Sequence, residues 1–173
     1  AAWTRWWARK ASSPATAWRE LAFNDAAWET GPTGIGYGDD DDATVLADMQ
    51  QIADDPATAE DETQAGYLTV YCRKSFNVLN VASISSLSYS VDYDDGHITY
   101  LNGVEVARSG TMGAAGTEFT FDQQADAGHD AGTASTYDLS GVAGSLLRTG
   151  NNVLAVEVHN RPIGSSDLSF IPT

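Results

Sequence analysis

The chain has one cysteine, three histidines and only two lysines, Lys10 and Lys74, in 173 residues. Each scarcity closes off a class of function. A lone Cys72 cannot form an internal disulfide, and its place in an alternating segment reads as a buried small hydrophobe. His97, His129 and His159 are scattered, and no His-x-x-x-His or paired Cys-x-x-Cys spacing offers zinc a site. No basic grouping exceeds a pair such as Arg73-Lys74, whereas a phosphate backbone needs a basic face to release its counterions; this argues against nucleic acid and against an anionic membrane surface. A run of ~18 apolar residues is missing, so no segment reads as a bilayer-spanning helix. Missing too are the Gly-x-Ser-x-Gly elbow of serine hydrolases and the Gly-Lys-Ser/Thr ending of phosphate-gripping loops. The expectation is therefore no catalytic activity, although a carboxylate pair for glycoside hydrolysis is decided by separation in space and stays open at this stage.

What is abundant is acid. Twenty-four acidic residues against 9 basic ones give a net charge of −15, while the 42% hydrophobic fraction is ordinary for a globular chain. The length suits one domain, residues 1–173, with a real core. An acidic, lysine-poor composition rich in Ala, Asp, Gly and Thr suggests a secreted or surface bacterial protein whose hydrated carboxylates preserve solubility. The chain opens on Ala1 without a basic-then-apolar leader and stops just after strand-like residues at Phe170-Ile171-Pro172-Thr173. Excision from a larger protein is the expectation.

Hydrophobic periodicity gives the architecture. Residues 1–38 hold all five tryptophans and end in the glycine-dense Gly34-Ile35-Gly36-Tyr37-Gly38, which reads as an irregular, aromatic-pinned lead-in. From Gly66 onward, Leu68, Val70, Cys72, Phe76 and Val78 share one strand face, with Tyr67, Thr69, Tyr71, Arg73, Ser75 and Asn77 on the other. A second strand over residues 86–93 turns Leu87, Tyr89, Val91 and Tyr93 inward. Asp95-Gly96 and Asn102-Gly103 then read as two tight hairpin turns joining three antiparallel strands. Glu118-Phe119-Thr120-Phe121 is a short strand inside a long loop, residues 140–148 a short helix capped by Ser140, and residues 152–160 and 165–171 the last two strands. With no βαβ alternation, the fold class is all-β: an antiparallel β-sandwich of jelly-roll form with one or two short helices.

Motifs in order along the chain carry a family likeness: Trp28-Glu29-Thr30-Gly31-Pro32-Thr33-Gly34, Tyr71-Cys72-Arg73-Lys74-Ser75-Phe76, the Asp-Asp-Gly and Leu-Asn-Gly turns, Asn152-Val153-Leu154-Ala155-Val156-Glu157-Val158-His159-Asn160, and Ser165-Ser166-Asp167-Leu168-Ser169-Phe170. Together they resemble the galactose-binding-domain-like, carbohydrate-binding-module-like β-sandwiches appended to large secreted bacterial proteins. Cys72 stands where such modules place an aromatic residue. The resemblance implies a non-catalytic carbohydrate-binding or accessory module; related modules also bind calcium structurally or act as spacers, so a structural or interaction module is the alternative.

Sugar recognition uses flat rings against the apolar face of a pyranose and nearby polar groups for the hydroxyls. The candidates are Trp28, Tyr37, Tyr67, Tyr71 and Arg73, with a polysaccharide or neighbouring domains of the same polypeptide as the partner. Tyr67, Tyr71 and Arg73 form an outer face on which a partner docks, unless the amino-terminal tryptophans cover it. Hard cations want several oxygen ligands, and the run Asp39-Asp40-Asp41-Asp42 beside the glycine-rich loop offers them. A structural Ca2+ on Asp39, Asp40 and Asp41 is set against a simple solvated acidic loop. Glu157 and His159, two apart on one strand face, read as a hydrogen-bonded structural pair, with metal ligation or acid-base chemistry as the alternative.

Overall fold

The computed structural model describes residues 14–54, 56–58 and 63–173, together with the backbone of Ala2–Trp7. Eleven strands follow in chain order: β1 Ala2–Trp7, β2 Glu29–Pro32, β3 Ile35–Gly36, β4 Thr44–Val45, β5 Thr69–Val78, β6 Ser88–Tyr93, β7 Gly96–Leu101, β8 Val104–Arg108, β9 Ser135–Asp138, β10 Gly150–His159 and β11 Phe170–Pro172. One α-helix, α1 (Ser140–Leu146), and two 3-10 turns, Thr16–Arg19 and Val81–Ser83, complete the elements among the described residues. A six-stranded antiparallel sheet in the order β2-β1-β5-β10-β7-β8 packs on a three-stranded antiparallel sheet, β11-β6-β9. This is the all-β sandwich expected from the period-two patterning. A small parallel pair, β3 and β4, forms a separate two-stranded sheet against β11, with Ile35 of β3 in the core between the two larger sheets.

The strand alternation sorts the side chains as the sequence dictates. Val70 and Cys72 of β5 and Val156 and Val158 of β10 meet Tyr89, Val91 and Tyr93 of β6 and Phe170 of β11 between the sheets. The opposite face of the large sheet is not wet. Tyr71, Ala155, Ile98 and Tyr100 lie beneath a third layer made of Trp18, Met112, Phe119 and Ala125, from two irregular stretches of chain. All six residues of β7 are consequently buried. Trp18 meets Tyr71 and Tyr100 edge-on, with ring centroids 5.0 and 5.8 Å away.

Several local expectations are corrected. Asn102 (φ 50°) and Gly103 (φ 89°) form the tight turn between β7 and β8, with positive φ at both central residues as such a turn requires. Asp95-Gly96 makes no hairpin: β6 pairs with β9 and β11, while β7 pairs with β8 and β10, so the chain crosses between sheets at Asp94-Asp95. The lead-in is not wholly irregular, since β1 inserts between β2 and β5. Residues 118–121 form no strand, and the last strand shrinks to β11 with a single bridge from Tyr37 to Leu168. Helix α1 starts as expected, but the Ser140 side chain does not cap it; its hydroxyl accepts from Leu87 N, and Asp138 Oδ1 accepts from Ser140 N. At the β8 edge the register slips between Thr99 and Tyr100, so Val106 is an extra, bulged residue between Glu105 and Ala107.

Trp18 roofs the large sheet, so Trp18→Ala should cost about 3–5 kcal/mol, the range for deleting a buried large aromatic. Trp18→Phe should recover most of that loss. Urea unfolding followed by far-UV circular dichroism measures both, and an unchanged midpoint for the alanine variant would contradict the third layer.

Candidate functional site

Arg73 organises the outer layer. Its side chain is 2% exposed, and its Nε donates to Asp25 Oδ2 at 2.9 Å while Nη1 donates to the carbonyls of Glu20, at 3.0 Å, and Trp18. These bonds fold residues 18–25 back over β5. Trp28 N donates to Asp25 O at 2.9 Å, closing the turn that presents the Trp28 ring. The ring stacks on Trp18 with centroids 6.5 Å apart and takes Phe23 edge-on at 5.5 Å. Trp28, Phe23 and Phe121 are all half-buried, so their rings form the boundary between this layer and solvent.

The other expected sugar contacts are not at the surface. Tyr37, Tyr67, Tyr71 and Arg73 are 7%, 2%, 1% and 2% exposed. The open docking face of Tyr67, Tyr71 and Arg73 is therefore corrected. Trp18 covers Tyr71, Arg73 is consumed by three acceptors on residues 18–25, and Tyr67 precedes β5 and joins the core between the sheets. The cover comes from Trp18 and Phe23; the side chains of Trp3, Trp6 and Trp7 lie outside the described residues. Tyr37 is likewise structural: its hydroxyl donates to Ser165 O at 2.9 Å and accepts from Asn160 Nδ2 at 2.9 Å.

The acidic run does gather, with one substitution in its membership. Ligand oxygens of Asp39, Asp41 and Asp42 lie within 4.8 Å of one another, a set that can hold a metal ion. Asp40 is not part of it; this residue carries the turn of the loop at φ 65°. Ser169 Oγ donates to Asp39 Oδ2 at 2.7 Å and reaches Asp41 Oδ1 at 3.4 Å. Both carboxylate oxygens of Asp42 are buried without a hydrogen-bond partner. Burial, then the charges of Asp39 and Asp41, push the Asp42 carboxyl up to about 7. The acidic residues at positions 55 and 60–62 lie outside the described residues.

Asp95, read in the sequence as a hairpin-turn residue, and Asp94 before it form a second acidic pair that emerges at the crossover, each 5% exposed. Burial, followed by the charges of Asp95, Asp167, Asp130 and Asp39, raises Asp94 to about 8. Asp95 is also raised by burial, although it accepts from His129 N at 3.0 Å. Nothing in a single sequence distinguishes a turn that reverses within one sheet from a crossover that buries its acids.

Glu157 and His159 share a face of β10, buried under the third layer. Glu157 Oε1 accepts from Tyr100 at 2.7 Å and lies 3.7 Å from Arg19 Nη2, and Oε2 is 3.7 Å from His159 Nε2. His159 Nδ1 faces the Gln123 carbonyl at 2.8 Å and the Thr69 hydroxyl at 3.0 Å. A carbonyl can only accept, so Nδ1 carries a hydrogen. At 3.7 Å, Glu157 Oε2 and His159 Nε2 stand too far apart for the close hydrogen bond expected of them, and both atoms are buried without a hydrogen-bond partner. His97, buried between the sheets and bonded to Thr99 and Tyr137, is lowered to about 3 by burial first and by His129 second.

Neither a protein-family model nor a curated protein sequence matches the chain. Solved structures do match its fold. A beta-glucuronidase from glycoside hydrolase family 2 aligns with 92% of this chain at TM-score 0.54 and 19% identity. The Bifidobacterium dentium beta-glucuronidase aligns with 93% at 0.53 and 16% identity, and a Bacteroides vulgatus beta-glycosidase with 99% at 0.52 and 12% identity. The chain spans only 13%, 19% and 19% of those three proteins, so what they share with it is a β-sandwich forming a minor part of a larger chain.

The perturbed groups set opposing pH dependences. Asp42 and Asp94 hold protons in the folded state up to about 7 and 8, whereas the unfolded chain releases them near 3.8; their contribution is present below 3.8 and is lost as pH rises toward those folded values. His97 stays neutral down to about 3 while the unfolded chain binds a proton near 6.5, so its contribution is lost as pH falls through that window. In chelator, Asp94→Asn should gain melting temperature relative to the parent progressively between pH 5 and pH 8.5. A gain independent of pH would refute the assignment.

Proposed function

We propose that this chain is a non-catalytic, carbohydrate-binding accessory module within a larger secreted polypeptide, and that saccharide stacks on Trp28. The half-buried Trp28 ring carries the reading: Trp18 and Phe23 fix its orientation before any ligand arrives, which lowers the entropy cost of binding. The fold supports it, since the sandwich recurs as a minor part of enzymes that act on glycosides. The absence of catalysis is supported by the sealing of Glu157 and His159 under the third layer, away from substrate. In affinity electrophoresis across a polysaccharide panel, at least one neutral polymer should retard the parent, and Trp28→Ala should migrate unretarded with an unchanged fold. A structural or interaction module is the alternative, favoured by Leu79, 90% exposed, and Ile84 flanking the 3-10 turn Val81–Ser83. Uniform migration of the parent would favour that alternative.

The cation assigned to Asp39, Asp41 and Asp42 is Ca2+. The donor set fits: three clustered carboxylates, one with both oxygens buried and otherwise unpartnered, supply the hard oxygen ligands this ion takes. Its role is to pin the loop beside β3 and β4. A ligand binding only the folded state adds RT ln(1 + [L]/Kd), about 2.7 kcal/mol at a hundredfold excess. Chelation should therefore lower the melting temperature, calcium should restore it, and Asp42→Asn should abolish the response; a melt indifferent to chelation rules the site out.

A further inference from the structure

The two sheets differ in reach. β5 and β10 run for ten residues each, whereas β6, the central strand of the smaller sheet, runs for six. Successive side chains of a pleated strand alternate, so Phe76 faces the smaller sheet with Val70 and Cys72, and Leu154 does so with Val156 and Val158. Leu101 of β7 stands opposite Leu154 in the register and joins the same apolar row. The smaller sheet stops at the Ser88–Asp138 pair, and the end of this row is walled instead by Leu87 and by Leu139 at the start of α1. Leu139 N donates to Leu87 O at 2.9 Å and Leu87 N donates to Ser140 Oγ at 3.1 Å, two bonds that fix the wall. Between wall and row lies a recess of about 130 Å³.

We propose that this recess is a binding site for a small uncharged apolar molecule, one ring of benzene size. Volume is the first argument: an apolar cavity of about 150 Å³ takes benzene or xenon and stays dry without them. Chemistry is the second. Leu101, Leu139 and Tyr89 are buried at the floor, Phe76, Leu87 and Leu154 are half-buried at the mouth, and among the described residues no charged side chain lines the space. Ser88 and Thr173 supply polar atoms at the exposed rim, where Thr173 N and O are already bonded to Ser90 O and N at 2.8 and 3.2 Å. A water molecule needs two to four polar partners to be held in a cavity, so a ring that fills this one displaces solvent at little cost. Preorganisation is the third, because the wall is bonded in place before any ligand arrives. The recess lies on the opposite side of the large sheet from Trp28, and the inference stands independently of the sugar reading.

The test is a titration of the leucine-methyl NMR spectrum of the full chain with benzene. Saturable shifts confined to the methyls of Leu87, Leu101, Leu139 and Leu154 are expected, with a Kd on the order of 1 mM, which suits a ligand of so few heavy atoms. Pyrazine, a ring of the same size whose two nitrogens would be buried without donors, should bind at least about ten-fold more weakly. Leu87→Phe, which adds bulk at the mouth, should weaken benzene by at least about ten-fold with the far-UV circular dichroism spectrum unchanged, and Phe76→Trp is the second plug where the first disturbs the fold. Shifts that fail to saturate, shifts centred on the exposed Leu79, equal affinity for pyrazine, or full affinity in a folded plug variant each overturn the inference.

Discussion

One buried guanidinium holds the outer third of the molecule in place. Arg73 projects from the middle of the large sheet on the side away from the main core, where a charge survives only if every donor finds an acceptor. Among the described residues, the acceptors of Nε and Nη1 are the carboxylate of Asp25 and the carbonyls of Trp18 and Glu20, all from one short stretch. That stretch is thereby pulled over β5, Trp18 is lowered onto Tyr71 and Tyr100, and Trp28 is set at the rim. The loop carrying Met112, Phe119 and Ala125 completes the cover. A sandwich whose larger sheet is buried on both faces at its middle, around β5, β10 and β7, follows from a bond network centred on one residue.

The same geometry explains which parts of the fold were legible from residues alone. Alternation identified Val70 and Cys72, then Tyr89, Val91 and Tyr93, then Val156 and Val158, because a pleated strand sends successive side chains to opposite faces whatever its neighbours are. It also put Tyr71 and Arg73 on the reverse face. A cover by the amino-terminal tryptophans was open from the sequence, but not which residue supplies it, because Trp18 reaches Tyr71 from more than fifty positions upstream by way of contacts that have no period. Asn102-Gly103 and Asp95-Gly96 carry the same turn signal, yet only the first closes a hairpin. Asn102 also reaches across to β10, accepting from Val153 N and donating to Asn152 Oδ1, which ties its turn into the large sheet. Pairing partners are a tertiary property, and a dipeptide does not encode them.

At the acidic end, composition announced a cluster and could not specify its members. Asp39 and Asp41 gather with Asp42, and Asp40 is spent on the backbone turn that lets the others converge. The burial of Asp94 and Asp95 depends on the crossover between sheets, and so was hidden for the same reason as the missing hairpin. Asp39, Asp41 and Asp42 repel one another across a distance of less than 5 Å, a cost that a cation held among them would relieve.

The bulge at Val106 bears on how such a module behaves in company. β8 is the outermost strand of the large sheet, and an outermost strand offers unpaired amides and carbonyls to any neighbour that runs alongside. In dilute salt, copies carrying a charge of −15 keep their distance. In brine that repulsion is screened away, and only shape remains to prevent sheets from joining edge to edge. An extra residue that kinks the strand spoils the template without depending on ionic strength. The irregularity at this edge is thus a safeguard against fibrous assembly, one that keeps working in the conditions where charge no longer does.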